Sequence, residues 1–115
     1  MTIECIEWAN GTKEWYQNGQ LHRPDGPAYI GADGTQEWWQ NDRLHRLDGP
    51  AVEWADGSKS WWQNDRLHRP DGPAYISADG TQEWWIDGKK YSLKEWCMLT
   101  GQTKEEIVEL LLMES

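Results

Sequence analysis

Apolar and polar residues alternate in short runs along most of the chain, a pattern typical of β-strands. The most prominent run begins with two adjacent aromatic residues, and the first of each pair stands at Trp15, Trp38, Trp61 or Trp84. The spacing is 23 residues each time, and a fixed period of this size predicts an array of repeats. Because neighbouring side chains on a strand point to opposite faces, the aromatic pairs predict one ladder on each face of a sheet.

Turn residues divide each repeat at fixed places. In the first repeat, Asn18-Gly19 suits a two-residue hairpin turn because both residues accept a positive φ. Pro24 and the Asp25-Gly26 pair mark a loop, since proline lacks an amide hydrogen and Asp-Gly favours a tight turn. Each repeat is therefore a piece of β-meander, and we expect successive repeats to extend one antiparallel sheet.

The pattern becomes helical after residue 91. Ser92 and Glu95 form a capping box ahead of an apolar stripe, and Gly101 suits the position after a helix end. Thr103 and Glu106 form a second capping box, which predicts another helix towards residue 112. Acidic residues in this second helix disfavour a DNA-binding helix-turn-helix. Two short helices of this kind would instead cover the end of the sheet.

These patterns predict a mainly β fold: a single-layer, elongated antiparallel β-meander built from 23-residue repeats, with a C-terminal two-helix cap. We expect an N-terminal edge strand over residues 1–7, a repeat sheet over residues 8–91 and a helical cap over residues 92–115. The sheet would hold three full repeats and a partial fourth. The open edge near residue 1 leaves both a monomer and a homodimer as expectations.

Composition narrows the classes of function. The net charge of −9 disfavours direct binding of nucleic acid or of an anionic membrane, because both need clustered Lys and Arg. Cys5 and Cys97 lie outside the repeats, so we expect reduced thiols and a cytoplasmic location. We also expect no signal peptide and no membrane span, since no run has the required pattern or length.

The aromatic content is high, with ten Trp, four Tyr and no Phe. A single-layer sheet does not easily bury both of its faces, so we expect one ladder to form the core and the other to contact a protein partner. The candidate contact residues are the second members of the aromatic pairs and two nearby arginines: Tyr16, Trp39, Trp62, Trp85, Arg43 and Arg66.

Three histidines, His22, His45 and His68, recur at the same spacing. If each repeat adds two strands about 4.8 Å apart, equivalent histidines stand about 10 Å apart. Metal–nitrogen bonds of about 2.0–2.1 Å exclude one shared ion at that separation, so no metal or cofactor is predicted. The favoured interpretation is a partly buried histidine bonded to a loop carbonyl, and the alternative is a pH-sensitive contact to a partner.

An arginine follows each histidine, and an aspartate stands two residues further on. The arginines are Arg23, Arg46 and Arg69, and the aspartates are Asp25, Asp48 and Asp71. The favoured interpretation is a repeated structural clamp around an Asx-type turn. The alternative is that the Arg and His side chains receive an anionic ligand, such as a nucleotide phosphate, beside an aromatic ladder.

The repeat resembles the MORN-type repeat, which also has 23 residues and follows a pattern like E-W-x-N-G-x-x-H-G-x-G-x-Y-x-x-x-D-G. The matching residues of the first copy are Glu14-Trp15, Asn18-Gly19, His22, Gly26, Tyr29 and Asp33-Gly34. The aromatic pairs and the Arg-X-Asp-Gly-Pro-Ala loop depart from that pattern. This variant looks like small repeat proteins of tailed phages and large DNA viruses. The resemblance implies a scaffold or interaction module without catalytic residues.

Three hypotheses of function follow. The first is a non-enzymatic protein-binding module, in the phage setting an inhibitor of a host or defence protein; no nucleophile, phosphate loop or asymmetric set of residues indicates an enzyme. The second is sequestration of a nucleotide-like small molecule by the aromatic, Arg and His residues. The third is an acidic mimic of nucleic acid, which requires the carboxylates of Glu37, Asp42, Asp65 and Glu83 to share one face.

Overall fold

The structure is a computed structural model that describes residues 2–103 and residue 105. It is mainly β. The strands are β1 (Glu4–Glu7), β2 (Lys13–Gln17), β3 (Gln20–Leu21), β4 (Tyr29–Ile30), β5 (Gln36–Glu37), β6 (Trp39–Gln40), β7 (Arg43–Leu44), β8 (Val52–Glu53), β9 (Lys59–Ser60), β10 (Trp62–Gln63), β11 (Arg66–Leu67), β12 (Tyr75–Ile76), β13 (Gln82–Ile86) and β14 (Lys89–Tyr91). One helix follows them, α1 (Leu93–Thr100).

The strands form an antiparallel meander whose order follows the chain. The main sheet runs from β1 at one edge through β2, β4, β5, β8, β9, β12 and β13 to β14, and β3 pairs with β2 beside this path. The β6–β7 and β10–β11 pairs form separate two-stranded hairpins. The predicted antiparallel meander is confirmed, and the molecule is longest in one direction, with extents of 45 × 27 × 20 Å.

The first tryptophan of an aromatic pair joins the main sheet to the hairpin that follows it. The Trp38 N–H donates to the Ala51 carbonyl at 2.7 Å, and the Trp38 carbonyl accepts from the His45 N–H at 3.0 Å. Trp15 and Trp61 make the equivalent two bonds. The backbone of Trp38, which lies between β5 and β6, therefore bonds both to the main sheet and to the hairpin, and Trp15 does the same within β2.

Burial is concentrated at small residues and at the C-terminal end. Ala28, Ala51 and Ala74 are fully buried at the same place in successive repeats, where each alanine carbonyl accepts from a tryptophan N–H. The largest buried cluster contains Trp84 and Trp96, whose ring centroids are 4.8 Å apart. In the described part of the chain, the aromatic core therefore lies where helix α1 meets β13.

Helix α1 begins and ends as its sequence predicts. The Ser92 side chain accepts from the Glu95 N–H, and the Glu95 carboxylate accepts from the Ser92 N–H, so the capping box is formed. Gly101 ends the helix with a φ of 78°. The second helix predicted from Thr103 onward lies almost wholly outside the described residues, so the described part of the cap is one helix.

Candidate functional site

One face of the sheet, here called the aromatic face, carries the second residue of every aromatic pair. Strand register places a continuous row of side chains across this face, because residues paired directly across antiparallel strands share a side. The row is Ile6, Glu14, Tyr29, Glu37, Val52, Ser60, Tyr75 and Glu83. Aromatic and carboxylate side chains are therefore neighbours at Glu14–Tyr29–Glu37 and at Tyr75–Glu83.

The second aromatic residues are fixed by polar bonds to this row. The Trp39 and Trp85 indole N–H groups donate to Glu37 and Glu83 at 2.8 and 2.9 Å. Trp62 donates to the Ser60 hydroxyl at 2.7 Å. Each acceptor stands two residues before its donor, on the same side of the strand. The four predicted contact aromatics are all half-buried. Hydrogen bonds from their indole N–H or hydroxyl groups fix the orientation of the rings.

Tyr16 is the equivalent residue of the first repeat. Its hydroxyl donates to the Glu14 carboxylate at 2.8 Å. This hydrogen bond, helped by burial and by the negative charges of Glu14 and Asp42, raises the pKa of Tyr16 above its ordinary value. Tyr16 therefore stays protonated at neutral pH and acts as a donor, as the indoles do.

Two further tryptophans extend the aromatic face and were not in the predicted contact set. Trp8 is 52% exposed and its indole N–H donates to Glu14. Trp54 is also exposed and meets Tyr75 edge-on at 6.0 Å between ring centroids. Val52 and Trp54 are two residues apart, and side chains at this spacing in an extended segment lie on the same face. This spacing was the sequence signal that could have placed Trp54 on the aromatic face.

On the opposite face, here called the loop face, arginine side chains stack on the first tryptophan of each full repeat. The Arg23, Arg46 and Arg69 guanidinium groups lie 4.1, 3.9 and 3.9 Å from the ring centres of Trp15, Trp38 and Trp61. At this distance a guanidinium is attracted to the face of the ring. The first ladder is therefore covered by the chain's own loops.

Further bonds hold each arginine in its loop. Arg46 Nε donates to Asp48 at 3.0 Å and its terminal nitrogen donates to the Pro50 carbonyl at 3.0 Å. A Cβ placed on Gly49 would lie 2.9 Å from the Arg46 guanidinium carbon, so a larger residue here would displace the guanidinium. The other two loops repeat the arginine bonds. These contacts support the structural clamp over the anion-binding alternative for these arginines.

The histidines bond to a different group from the one expected. The Nδ1 atoms of His22, His45 and His68 accept from the backbone N–H groups of Asn41, Asn64 and Asp87 at 3.0–3.1 Å. The predicted partner, a loop carbonyl, is wrong, because the carbonyl oxygen needs a donor and this nitrogen accepts. Each histidine instead accepts a hydrogen bond from a backbone N–H in the turn of the next repeat, and this bond links the two repeats.

Aspartates make a second link at the same turns. Asp42 and Asp65 have φ values of 65° and 66°, a left-handed conformation that side chains disfavour. Their carboxylates accept from the Leu21 and Leu44 N–H groups at 2.7 and 2.8 Å, across the boundary to the preceding repeat. These two carboxylates are thus engaged at hairpin tips, whereas Glu37 and Glu83 lie on the aromatic face, an arrangement that does not favour a nucleic-acid mimic.

The structure divides the predicted contact set between the two faces. Arg43 and Arg66 pair across their hairpins with Gln40 and Gln63, which share the loop face with the first tryptophans. Both arginines are exposed. The predicted aromatic contacts lie on the opposite side of the sheet. A single flat partner surface therefore cannot touch both groups, and the aromatic residues and the arginines belong to different candidate sites.

Two open cavities lie in series on the loop face, between consecutive loops. The larger has a volume of about 950 Å³ and includes Arg43, His45 and Asp48 in its lining, and the second is about 770 Å³. Leu47 lines both and is 76% exposed. Cations and carboxylates are mixed in the larger cavity, since Asp25 also lines it.

The described residues contain no group of His, Cys, Asp and Glu arranged to hold a metal ion. Over the same part of the chain, no helix has the length and apolar character needed to cross a membrane.

Comparisons with protein-family models, curated proteins and solved structures gave no match to this chain.

Proposed function

We propose that this chain is a non-enzymatic protein-binding module and that its contact surface is the aromatic face. The observation that carries the proposal is the row of half-buried aromatic side chains whose polar ends are already bonded to neighbouring side chains. The stacked arginines Arg23, Arg46 and Arg69 all lie over the first tryptophan of a pair, on the opposite face. Tyr and Trp are the residue types that contribute most to protein interfaces.

Preorganisation supports the same proposal. An interface loses free energy when flexible side chains are ordered on binding, at about 0.5–1.5 kcal/mol for each one. Trp39, Trp62 and Trp85 are already held by their indole bonds, so they would bind with little of this cost. A row of fixed rings on a β-sheet therefore suits a flat or extended protein surface.

The charge of the face favours a basic partner. Glu14, Glu37 and Glu83 stand in the row, and the chain as a whole has a net charge of −9. Lys90 approaches Glu83 at 3.6 Å and neutralises part of this charge. Lysine and arginine side chains can meet both a carboxylate and an aromatic ring here, a combination that favours binding of cations.

Within this proposal the chain is an array of MORN-type repeats that ends in a two-helix cap. The recurrence of the tryptophan, histidine and arginine contacts at 23-residue spacing supports the array. The capping box at Thr103 and Glu106 supports the second helix. A cytoplasmic inhibitor of a host protein is the role that the resemblance to phage and viral repeat proteins supports.

The experiment compares retention of proteins from a cell lysate by four immobilised chains: wild type, Trp39→Ala/Trp62→Ala, Leu47→Ser and Arg43→Ala. The last two remove exposed side chains from the loop face and are the matched controls. We expect a protein with a basic surface to be retained by all chains except the tryptophan variant. Thermal unfolding establishes that each variant is folded. Equal retention by the tryptophan variant, or loss with Leu47→Ser, contradicts the aromatic face as the contact surface.

A second candidate function is binding of a small anionic molecule in the larger loop-face cavity. The cavity volume of about 950 Å³ is of the size that small-molecule sites have, and exposed Arg43 lines it beside His45. Thermal shift with a panel of nucleotides tests this function. Stabilisation that disappears with Arg43→Ala supports it, and no shift at millimolar nucleotide rejects it.

A further inference from the structure

The two ends of the main sheet are finished differently. At the C-terminal end, α1 packs against β13, and the fully buried Trp96 lies on Trp84. At the N-terminal end, β1 is the last strand, and no described residue pairs with its outer side. We propose that this outer edge of β1 is a docking site for a basic extended strand of a partner protein.

The backbone of β1 is suited to strand addition. The Trp8 N–H donates to the Thr12 carbonyl at 2.8 Å, and hydrogen-bonded pairs alternate along an antiparallel ladder. The even-numbered residues of β1 therefore bond inward to β2. Cys5 and Glu7 direct their N–H and C=O groups outward, and all four residues of β1 are exposed. An added strand can form a new ladder with these groups.

A cavity beside the edge provides a place for a basic side chain. It has a volume of about 590 Å³ and is lined by Thr2, Glu4, Ile6, Tyr16, Asn18 and Gly19. Among the described residues that line it, Glu4 alone is charged, so the cavity favours a cation. A lysine or arginine of the added strand can reach the Glu4 carboxylate while its aliphatic part contacts Ile6 and Tyr16.

Charge also selects between a basic partner and a second copy of this chain. The edge strand carries Glu4 and Glu7, and two copies would bring together molecules that each have a net charge of −9. Like charges oppose such a contact, and charged residues on an edge strand are a known protection against self-pairing. A basic strand faces no such repulsion, so it is the occupant that the edge favours.

Three synthetic peptides of equal length distinguish binding by strand addition from binding by charge attraction alone. One alternates Lys and Val, one alternates Glu and Val, and the third is the Lys-Val peptide with N-methylated backbone amides on one edge. We expect saturable binding of the Lys-Val peptide alone, measured by fluorescence anisotropy, with at least about tenfold weaker binding of the other two. Protection of the Cys5 and Glu7 amides from hydrogen exchange would locate the peptide.

Two variants of the chain complete the experiment. Cys5→Pro removes an outward N–H and leaves the inward bonds of β1 in place, as proline on an edge strand does, and Cys5→Val is its matched control. Glu4→Lys reverses the charge in the cavity. We expect Cys5→Pro and Glu4→Lys each to weaken Lys-Val binding at least about tenfold, and Cys5→Val to bind as the wild type does.

This site meets the contact surface proposed above at Ile6 and Tyr16 but does not include Trp39 or Trp62, so Trp39→Ala/Trp62→Ala leaves peptide binding unchanged. Absence of Lys-Val binding at millimolar peptide overturns the proposal, as does binding that survives N-methylation or Cys5→Pro. A wild-type dimer in analytical ultracentrifugation that dissociates with Cys5→Pro also overturns it, because the occupant would then be a second copy.

Discussion

The loop face and the aromatic face are built from adjacent residues of the same sequence pairs but are covered in different ways. On the loop face, the first tryptophan of each full repeat lies beneath an arginine of the following loop. On the aromatic face, the polar end of the second residue bonds to a side chain two residues earlier. Under the proposed function, one member of each aromatic pair stabilises the thin sheet and the other contacts the partner.

The fourth repeat explains how the loop face is completed. Its tryptophan, Trp84, is followed by Tyr91 and Ser92 where the other repeats have histidine and arginine. Trp96 of α1 takes the place of the arginine, and its indole N–H donates to the Arg69 carbonyl at 3.2 Å. The helix therefore closes the same surface that the arginine loops close elsewhere.

The largest effect on stability is expected from Trp96→Ala. Trp96 is fully buried, and truncation of a buried tryptophan typically lowers the free energy of unfolding by about 3–5 kcal/mol. Thermal unfolding followed by circular dichroism measures the loss. Trp54→Ala on the aromatic face is the control, because Trp54 is partly exposed, and it should lose much less. Equal losses would contradict the role of Trp96 as the buried core residue at this end of the sheet.

Arg46→Ala tests whether an arginine stabilises the loop face. Its guanidinium stacks on Trp38 and bonds to Asp48 and to the Pro50 carbonyl, so we expect the free energy of unfolding to fall by about 1–3 kcal/mol. Arg46→Lys should recover little, since an ammonium lacks the planar fork. Urea unfolding is the measurement, and exposed Arg43→Ala, expected within about 0.5 kcal/mol of wild type, is the matched control.

Removing a hydrogen bond between repeats should lower the free energy of unfolding less than Arg46→Ala does. Asp65→Ala removes the acceptor for the Leu44 N–H and leaves alanine in a left-handed conformation, so the free energy of unfolding should fall by about 1–2 kcal/mol. Asp65→Asn keeps an acceptor and tolerates this conformation, and it should stay close to wild type in urea unfolding. If both variants lose the same amount, the carboxylate bond does not link the repeats.

The smallest effect lies at a turn that belongs to neither face. The Ser77 hydroxyl and the Thr81 amide hold the pKa of Asp79 at about 2, below its ordinary value of 3.8. Since the folded pKa is the lower one, the stabilising contribution is complete above about pH 4 and is lost as the pH falls towards 2. Thermal unfolding from pH 5 to pH 2 should therefore show a shallower decline for Asp79→Asn than for wild type. An unchanged slope would contradict this role of Asp79.

Local features of the fold were predictable from the sequence because a few neighbouring residues determine them. Asn18-Gly19 forms its turn through two residues that accept a positive φ, and Ser92 caps α1 through a bond three residues along. The strand order was predictable for a related reason. Short punctuated repeats leave each strand only its sequence neighbours to pair with, and this produces a meander.

The candidate site was less predictable, because its properties depend on contacts between distant residues. Adjacent tryptophans such as Trp61 and Trp62 look equivalent in the sequence, but Arg69 stacks on Trp61 and the Trp62 indole bonds to Ser60. The histidine bond to the amide of the next repeat spans 19 residues. The replacement of an arginine by Trp96 has no local signal at all, since it follows from how α1 folds back on β13.

Trp61→Ala and Trp62→Ala together test whether the first aromatic residue of a pair stabilises the sheet and the second contacts the partner. The two residues are neighbours in the sequence and lie on opposite faces. For each variant, the free energy of unfolding is measured in urea and retention of the basic partner is measured on an immobilised chain. We expect Trp61→Ala, which removes the ring beneath Arg69, to lower the free energy of unfolding more than Trp62→Ala does. At urea concentrations where the Trp61→Ala chain is still folded, it should retain the partner. Trp62→Ala should lose the partner while remaining folded. Loss of the partner with Trp61→Ala and not with Trp62→Ala would contradict the assignment of partner binding to the aromatic face.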